Sequence, residues 1–405
     1  MPTAPPIAIL DLGSAKTTAL VCEERDGLLR YAGRGQCESR GMRKGQVINL
    51  EFAAEAVRLA AEAAERAAGL HVERAFLSLT GAHVMGLASQ AGVALTSRSR
   101  EITRDDARRA IEIARNLDLP EDREILHVLP QEFVLDGHGG VRDPVGMLAG
   151  RLEARVFVIT VAAAIKQNLV LAANRAGLEV EELVFAPLAV AEVLLRAEDR
   201  DLGAAVVDLG AGCTSLMAFL QGAARHAATI PVGGDHFTND IAIAFNTPRG
   251  DAEKLKRFFG AARADRINDG TAVEVPSIGD RPARTLPRRR LCECLESRAR
   301  ELAQLVRDEL ARAGLLRALG AGVFLTGGGS RLAGFADLLE ETLQLPVRSA
   351  TPALIDGMPP EFAEPEHAFA VGAAYYAHRV RSHHRPPARP WERWKEKLLR
   401  AIEEP

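Results

Sequence analysis

The chain opens with a short apolar run, Ile7–Leu10, that stops at Asp11-Leu12-Gly13-Ser14 and resumes at Thr17–Val21. Two apolar runs around a turn of small residues predict a β-hairpin. An Ala- and Glu-rich stretch, Leu50–Gly69, reads as a long helix, and Ala75–Leu79 as a buried strand. From about His83 to Ala162 the texture changes. A helix is expected over Asp105–Leu117 behind an N-cap at Thr103, with strands at Ile125–Leu135 and Arg155–Val161. This segment carries its own alternation and reads as an inserted subdomain. Helices follow at Asn168–Gly177, ending on a C-cap glycine, and at Pro187–Arg196. Ala204–Leu209 is a strand, and Asp235–Ala244 and Asp251–Phe259 are helices. Ile278–Arg290 is a Pro- and Arg-rich loop or sheet edge, and Leu291–Ala313 a long helix. The strand Gly322–Leu325 runs through Thr326-Gly327-Gly328-Gly329-Ser330 into a helix at Ala333–Leu343. Ala368–Val380 is a closing helix, Ser382–Pro390 a basic Pro-rich linker, and Trp391–Glu404 a final amphipathic helix.

The hairpin pattern occurs twice. Val206-Val207-Asp208-Leu209-Gly210-Ala211-Gly212-Cys213-Thr214 matches Ile9-Leu10-Asp11-Leu12-Gly13-Ser14-Ala15-Lys16-Thr17. A repeat this far apart predicts two domains of similar fold facing each other, which suits a length of 405 residues. A hydrophobic fraction of 47% and a net charge of −3 describe an ordinary globular chain with no global attraction to nucleic acid. Five cysteines, an odd number in a long chain, argue against a disulfide framework, and Cys292 and Cys294 lack a zinc spacing. The N-terminus has no signal-like core and no apolar run reaches the ~20 residues of a membrane-spanning helix. The expectation is a cytoplasmic protein whose membrane contact is peripheral.

The chain contains no P-loop, no Gly-x-Gly-x-x-Gly opening a helix and no nucleophile elbow. The candidate chemistry lies in the two Asp-Leu-Gly turns and the Gly triplet. A turn of small residues exposes successive backbone N–H groups as an anion nest, and glycine admits a phosphate without a Cβ clash. Gly13, Ser14, Ala15, Lys16 and Thr17 form one candidate nest; Gly210, Ala211, Gly212, Cys213 and Thr214 form the other. Thr17 and Thr214 could add hydroxyl donors, and Lys16 could neutralise phosphate charge. Asp11 and Asp208, at strand ends, suit a hydrated Mg²⁺. Gly327, Gly328, Gly329 and Ser330 would let a nucleoside approach. One Asp-Leu-Gly is a common strand end; two in register, with the Gly triplet, define a nucleotide cleft.

This set resembles the two phosphate motifs and the adenosine motif of the actin, Hsp70 and sugar-kinase superfamily. Within it the chain is similar to the FtsA family over nearly its whole length. The carrying residues are Leu126-His127-Val128-Leu129-Pro130-Gln131-Glu132-Phe133, Asp143-Pro144-Val145-Gly146-Met147, Val207-Asp208-Leu209-Gly210, Asp251-Ala252-Glu253 and Val275-Pro276-Ser277-Ile278-Gly279. The resemblance implies an α/β, two-lobed actin-like ATPase fold of two RNase H-like domains, with an inserted α+β subdomain IC in place of actin subdomain IB. Subdomain IA would span 1–82 and 163–200 with the closing helix 372–381, IC 83–162, IIA 201–232 and 320–371, and IIB 233–319. The linker would be 382–390 and the membrane-targeting helix 391–405. The family pattern also places Gly233 and Gly234 near the phosphates and Glu253 and Lys256 as an adenosine clamp; a solvated ion pair is the plainer account of those two. It implies ATP and Mg²⁺ as ligands, filament formation, the FtsZ C-terminal peptide bound on IIB, and other division proteins bound on IC. Arg281, Arg284 and Arg288 form a basic surface in IIB that could receive the peptide. In ATP-hydrolysing relatives a Glu or Gln orients the attacking water where this chain has Ala186, before Pro187. A methyl group cannot orient water, so hydrolysis should be slow or negligible.

Stepping 100° per residue from Trp391 puts Trp394, Leu398, Leu399, Ala401 and Ile402 on one arc, with Lys395 able to snorkel beside them. Both tryptophans of the chain are here, and Arg379–Arg400 holds eight Lys or Arg against two Glu. That pattern suits an anionic membrane interface, on the inner face at the division site in the family pattern. The alternative is docking on a protein surface. Two rival functions share the fold. A sugar- or acetate-type kinase would need a catalytic Asp at a substrate pocket, and a PilM-type pilus-assembly protein typically lacks such a tail.

Overall fold

The computed structural model describes residues 5–95, 100–268, 270–279 and 281–384. The first lobe begins β1 (Ile7–Leu12), β2 (Lys16–Arg25) and β3 (Leu28–Glu38). A tiny hairpin follows, β4 (Met42–Arg43) and β5 (Gln46–Val47), then α1 (Leu50–Ala68) and β6 (Arg74–Leu79). The insertion holds β7 (Met85–Ala94), α2 (Arg104–Arg115), β8 (Arg123–Leu135), β9 (His138–Val141) and β10 (Arg151–Ala162). The first lobe resumes with α3 (Ala163–Arg175), β11 (Glu179–Phe185) and α4 (Ala186–Leu194). After α5 (Ala197–Leu202) the second lobe opens with β12 (Ala204–Leu209), β13 (Thr214–Leu220) and β14 (Ala223–Ile230). It continues through α6 (Gly234–Ala244), α7 (Arg249–Phe259), β15 (Ala272–Val275), β16 (Arg284–Pro287) and α8 (Arg288–Arg312). The chain ends its described course with β17 (Gly322–Thr326), α9 (Phe335–Leu343), β18 (Val347–Ser349) and α10 (Ala368–His384).

The repeat in the sequence is a repeat in topology. The first sheet runs β3-β2-β1-β6-β11 and the second β14-β13-β12-β17-β18. In each, three antiparallel strands lead into two parallel ones. Equivalent registers hold the motifs: Asp11 opposes Thr18 and Asp208 opposes Ser215. Even the distal turns match. Asp26-Gly27 and Gln221-Gly222 both take positive φ at two successive residues, the geometry that suits the twist of a tight hairpin.

Both faces of the second sheet are buried. Ala205, Val207, Leu209, Val323 and Leu325 point to α8 and α9, while Ala204, Val206, Met217, Phe219 and Phe324 join the core that contains α4 and α10. The two lobes therefore share apolar packing around the crossing of α4 and α10. At that crossing a Cβ on Gly372 would lie 2.1 Å from the Ala189 carbonyl oxygen.

The insertion is a four-stranded sheet, β7-β10-β8-β9, with α2 on one face. Thr103 caps α2 in a capping box with Asp106. The subdomain is not an appendage with a wholly separate core. Alternate residues of β10 serve two cores: Leu152, Ala154, Val156 and Val158 face α2, whereas Phe157, Ile159 and Val161 face the main body. The stretch His127–Phe133 explains itself physically. Arg155 opposes Glu132 and Val156 opposes Pro130, so Gln131 is bulged out, and its Nε2 donates to the Ala224 carbonyl in the second lobe at 2.6 Å. His127, neutral with its pKa pushed down to about 4 by burial, accepts the Phe185 N–H at 3.1 Å in the first.

Several boundaries differ from expectation, among them the start of α3, at Ala163 and not Asn168. Ile278–Arg290 is not simply loop: Arg284–Pro287 pairs with β15 and the helix starts at Arg288. The predicted helix at Ala333 begins at Phe335, after a 3₁₀ turn over Gly328–Arg331. The closing helix runs to His384, into the expected linker. The rest of that linker and the helix 391–405, with Trp391, Trp394, Lys395, Leu398, Leu399 and Ile402, lie outside the described residues.

Candidate functional site

The two Asp-Leu-Gly turns meet across the cleft between the lobes. Each is closed the same way, Gly13 N–H to Lys16 O at 3.1 Å and Gly210 N–H to Cys213 O at 3.0 Å. They stack tip to tip: a Cβ on Gly212 would lie 2.3 Å from Ser14 Oγ. Asp11 and Asp208 end the two central strands at this seam. Burial raises the Asp208 carboxyl, the negative charge of Asp11 raises it further, and together they push its pKa up to about 7. Asp11 is raised by burial too, offset by a hydrogen bond from Ser78 and the charge of Lys16. Two carboxylates from different lobes, each destabilised in its charged form, make a place where a cation or its water shell would be favourable.

Gly233 and Gly234 pack on the second turn. The N–H groups of Gly234 and Asp235 donate to the carbonyls of Gly210 and Ala211 at 2.9 and 2.8 Å. A Cβ on Gly233 would lie 2.6 Å from the Ala211 carbonyl oxygen. Gly327, at φ 86, is pressed against the Asp208 carboxylate: its Cβ would fall 2.3 Å from Asp208 Oδ1. Gly329 packs on Leu209 and Gly328 is open towards Glu366. The Ser330 hydroxyl donates to the Gly327 carbonyl at 2.7 Å, which shapes the turn.

Glu253 and Lys256 are more than a solvated pair. Lys256 Nζ contacts Glu253 Oε2 at 2.6 Å, Thr238 Oγ1 at 2.9 Å and the Gly234 carbonyl at 3.0 Å. Burial opposes the charge on Glu253, but Lys256 and the Thr238 hydroxyl outweigh it and lower the carboxyl pKa. The pair thus ties α7 to the start of α6 beside the second turn.

Other expected roles are reassigned. The hydroxyls of Thr17 and Thr214 are buried inside their own lobes, on Ser39 Oγ at 2.7 Å and the Val232 carbonyl at 2.8 Å. Lys16 is already neutralised by Glu366 at 2.6 Å. Arg284 and Arg288 donate to the carbonyls of Phe245 and Phe259, where α6 and α7 end, so both act as helix C-caps while their charges, with that of the exposed Arg281, stay on this face. Sequence reading missed Ser78, Lys44, His236 and Glu366. A Lys-Gly pair in a tight turn was the one local signal among them; the others become visible only through contacts. Ala186 is buried at the first position of α4 and offers only its methyl group.

Two like sheets, a cleft lined by paired turns and a helix crossing behind it define an actin-like two-lobed protein. Solved structures agree on the fold. A PilM–PilN type IV pilus biogenesis complex superimposes with TM-score 0.65 at 19% identity, over 92% of this chain and 98% of that one. MreB5 of Spiroplasma citri bound to ADP gives 0.57 at 13%, over 94% and 99%. Family models are more specific. Residues 205–372 match "Cell division protein FtsA" and residues 81–160 match "SHS2 domain inserted in FTSA". The cell division protein FtsA of Pseudomonas aeruginosa is 39% identical over 91% of this chain and 88% of its own length. That of Escherichia coli is 36% identical over 91% and 89%, and that of Bacillus subtilis 31% over 87% and 80%. The chain belongs to the FtsA family of actin-like cell-division proteins.

Proposed function

We propose that the interdomain cleft binds ATP with Mg²⁺, and that the liganded protein polymerises and anchors FtsZ filaments to the membrane during division. The observation that carries the nucleotide reading is the meeting of the two nests with Asp11 and Asp208 at one seam. The nests would hold the phosphates, Asp11 and Asp208 the hydrated metal, and the Gly327–Ser330 turn with Glu253 and Lys256 the nucleoside. Mg²⁺ would supply charge neutralisation to the β- and γ-oxygens. With the Ala186 methyl at the water-positioning place, the nucleotide acts as glue and assembly signal, and turnover is slow. Gly210→Val is expected to abolish ATP binding, because the branched side chain starts 3.1 Å from the Cys213 carbonyl oxygen. Wild-type protein should release phosphate far below ~1 s⁻¹ with or without lipid. ATP binding by Gly210→Val at wild-type affinity would sink the site; fast turnover would sink the structural role of the nucleotide.

The FtsZ C-terminal peptide is assigned to IIB. Besides the basic residues Arg281, Arg284 and Arg288, it offers a groove of about 370 Å³ between α6 and α8 as a receptor. It is lined by Asp240, Ile243, Ala244, Cys294, Ser297, Arg298 and Glu301, and Ile243 is 76% exposed. Ile243→Glu is expected to weaken peptide binding at least about tenfold by removing an apolar contact. Unchanged binding in fluorescence anisotropy would move the contact elsewhere on the subdomain. The inserted subdomain is free to bind other division proteins. Among the described residues no helix is long and apolar enough to cross a membrane. We assign membrane attachment to the amphipathic sequence 391–405, whose apolar arc carries both tryptophans.

A further inference from the structure

We infer that Lys44 is the cation that receives the terminal phosphate of the bound nucleotide, while Lys16 ties the seam between the lobes. This deepens the nucleotide reading above and rests on it.

Lys44 stands in the two-residue turn between β4 and β5, where Arg43 opposes Gln46. Its φ of 50 is a conformation that lysine seldom adopts, and the strain is held by its surroundings. Gly45, at φ 77, is clamped against the Thr80 carbonyl oxygen, which a Cβ would approach to 2.3 Å. On the other side the Lys44 backbone lies 3.0 Å from the Cβ position of Gly212, next to Ser14 Oγ. The tip of this hairpin, a first-lobe element, therefore rests on the second turn at the point where Ser14 of the first turn meets it.

The charge of Lys44 is felt across the cleft. It opposes protonation of His236, adding to the effect of burial, and it favours ionisation of Cys213 against a larger effect of burial. His236 Nδ1 accepts the Gly233 N–H at 3.1 Å, so this part of the cleft is the root of α6. Among the described residues no carboxylate pairs with Lys44, although it is half-buried. Lys16, by contrast, has Glu366 at 2.6 Å. Glu366 follows Pro365, whose carbonyl accepts the Gly327 N–H and the Thr326 hydroxyl at 3.2 and 3.1 Å. The Lys16–Glu366 pair thus joins the first turn to the support of the Gly triplet.

A fixed, half-buried cation without a counter-ion, set on two converging anion nests, is matched by an anion. Direction follows from the turns. Gly327 packs on Asp208 and Leu209, whereas Gly212 faces Lys44, so the two lie at opposite ends of the second turn. A nucleotide entering with its nucleoside at the Gly triplet ends with its last phosphate at Lys44.

The test is calorimetric titration of the full chain with MgATP and with MgADP. Lys44→Asn removes the charge and keeps a residue that tolerates positive φ. It should weaken MgATP binding by about tenfold or more while MgADP changes by less than about twofold. Lys44→Arg should keep most of the preference for ATP. If Lys44→Asn melts early, Lys44→Gln gives the same ratio from a side chain of similar stem. Equal losses for ATP and ADP, or no loss, would overturn the assignment while the nucleotide site stands. If wild-type protein binds neither nucleotide, the underlying reading falls and this one with it.

Discussion

Trp394→Glu is expected to release the protein from anionic vesicles, with a partition coefficient lower by about two orders of magnitude. Trp391, Trp394, Leu398 and Ile402 together make up the centre of the apolar arc. Burying an indole removes roughly 200 Å² from water, and even half of that area at ~25 cal/mol per Å² is about 2.5 kcal/mol. The new carboxylate adds repulsion of about 1 kcal/mol from an anionic surface. The folded body should be untouched, because the Pro-rich stretch 385–390 separates the substitution from it along the sequence. Both tryptophans of the chain lie in this segment, so intrinsic fluorescence reports on it alone. Wild-type emission should shift to the blue on adding anionic vesicles, and less with neutral lipid. In Trp394→Glu the remaining Trp391 should show no shift. An unchanged wild-type spectrum, in protein that binds ATP, would assign the segment to a protein partner instead. One short helix binds weakly, so filament formation would supply the avidity for stable attachment.

Gly372→Val should be strongly destabilising. The new Cβ would stand 2.1 Å from the Ala189 oxygen and 2.7 Å from its carbonyl carbon. Both obstructing atoms are backbone of α4, so no side chain can swing aside, and α4 and α10 must separate. Overpacking of this kind costs about 1–3 kcal/mol, and a branched residue against two rigid helices belongs at the upper end. Here the damage reaches further than the local contact, since the same two helices carry the packing shared by the lobes. A melting temperature lower by several degrees and a smaller upward shift on adding MgATP are expected. Gly250→Ala is the control: Gly250 lies in the first turn of α7 with nothing within 4 Å of its would-be Cβ. It should be neutral or slightly stabilising. A Gly372→Val protein that melts with wild type would show that the helices part without penalty.

Much of the cleft was legible because its signals are local. Asp-Leu-Gly followed by small residues is turn chemistry, and its second copy 197 residues later revealed the duplicated lobe. The α2 cap at Thr103 and the strand Ala204–Leu209 were legible for the same reason: period and cap are written in neighbouring residues. Strand β14 was not. Its Ala-Ala-Arg-His-Ala-Ala-Thr-Ile has weak strand propensity, and it is a strand because β13 pairs with it along its length. Arg288–Arg290 read as loop or sheet edge because three arginines show no apolar period, yet they open a 25-residue helix whose buried side begins at Leu291.

Most of the elements, the repeat and the family follow from the order of amino acids, because each rests on contacts a few positions apart or on a pattern that recurs. Which polar group is free and which is engaged was settled by folding. The Thr214 hydroxyl turns inward, Lys16 meets a carboxylate 350 residues away, and Ser78 supports the first turn from 66 residues beyond it. Lys44 reaches the second turn only because its hairpin is wedged between Thr80 and the opposite lobe. Such pairings depend on how two sheets close over a shared pair of helices, and the spacing of residues along the chain does not encode that closure.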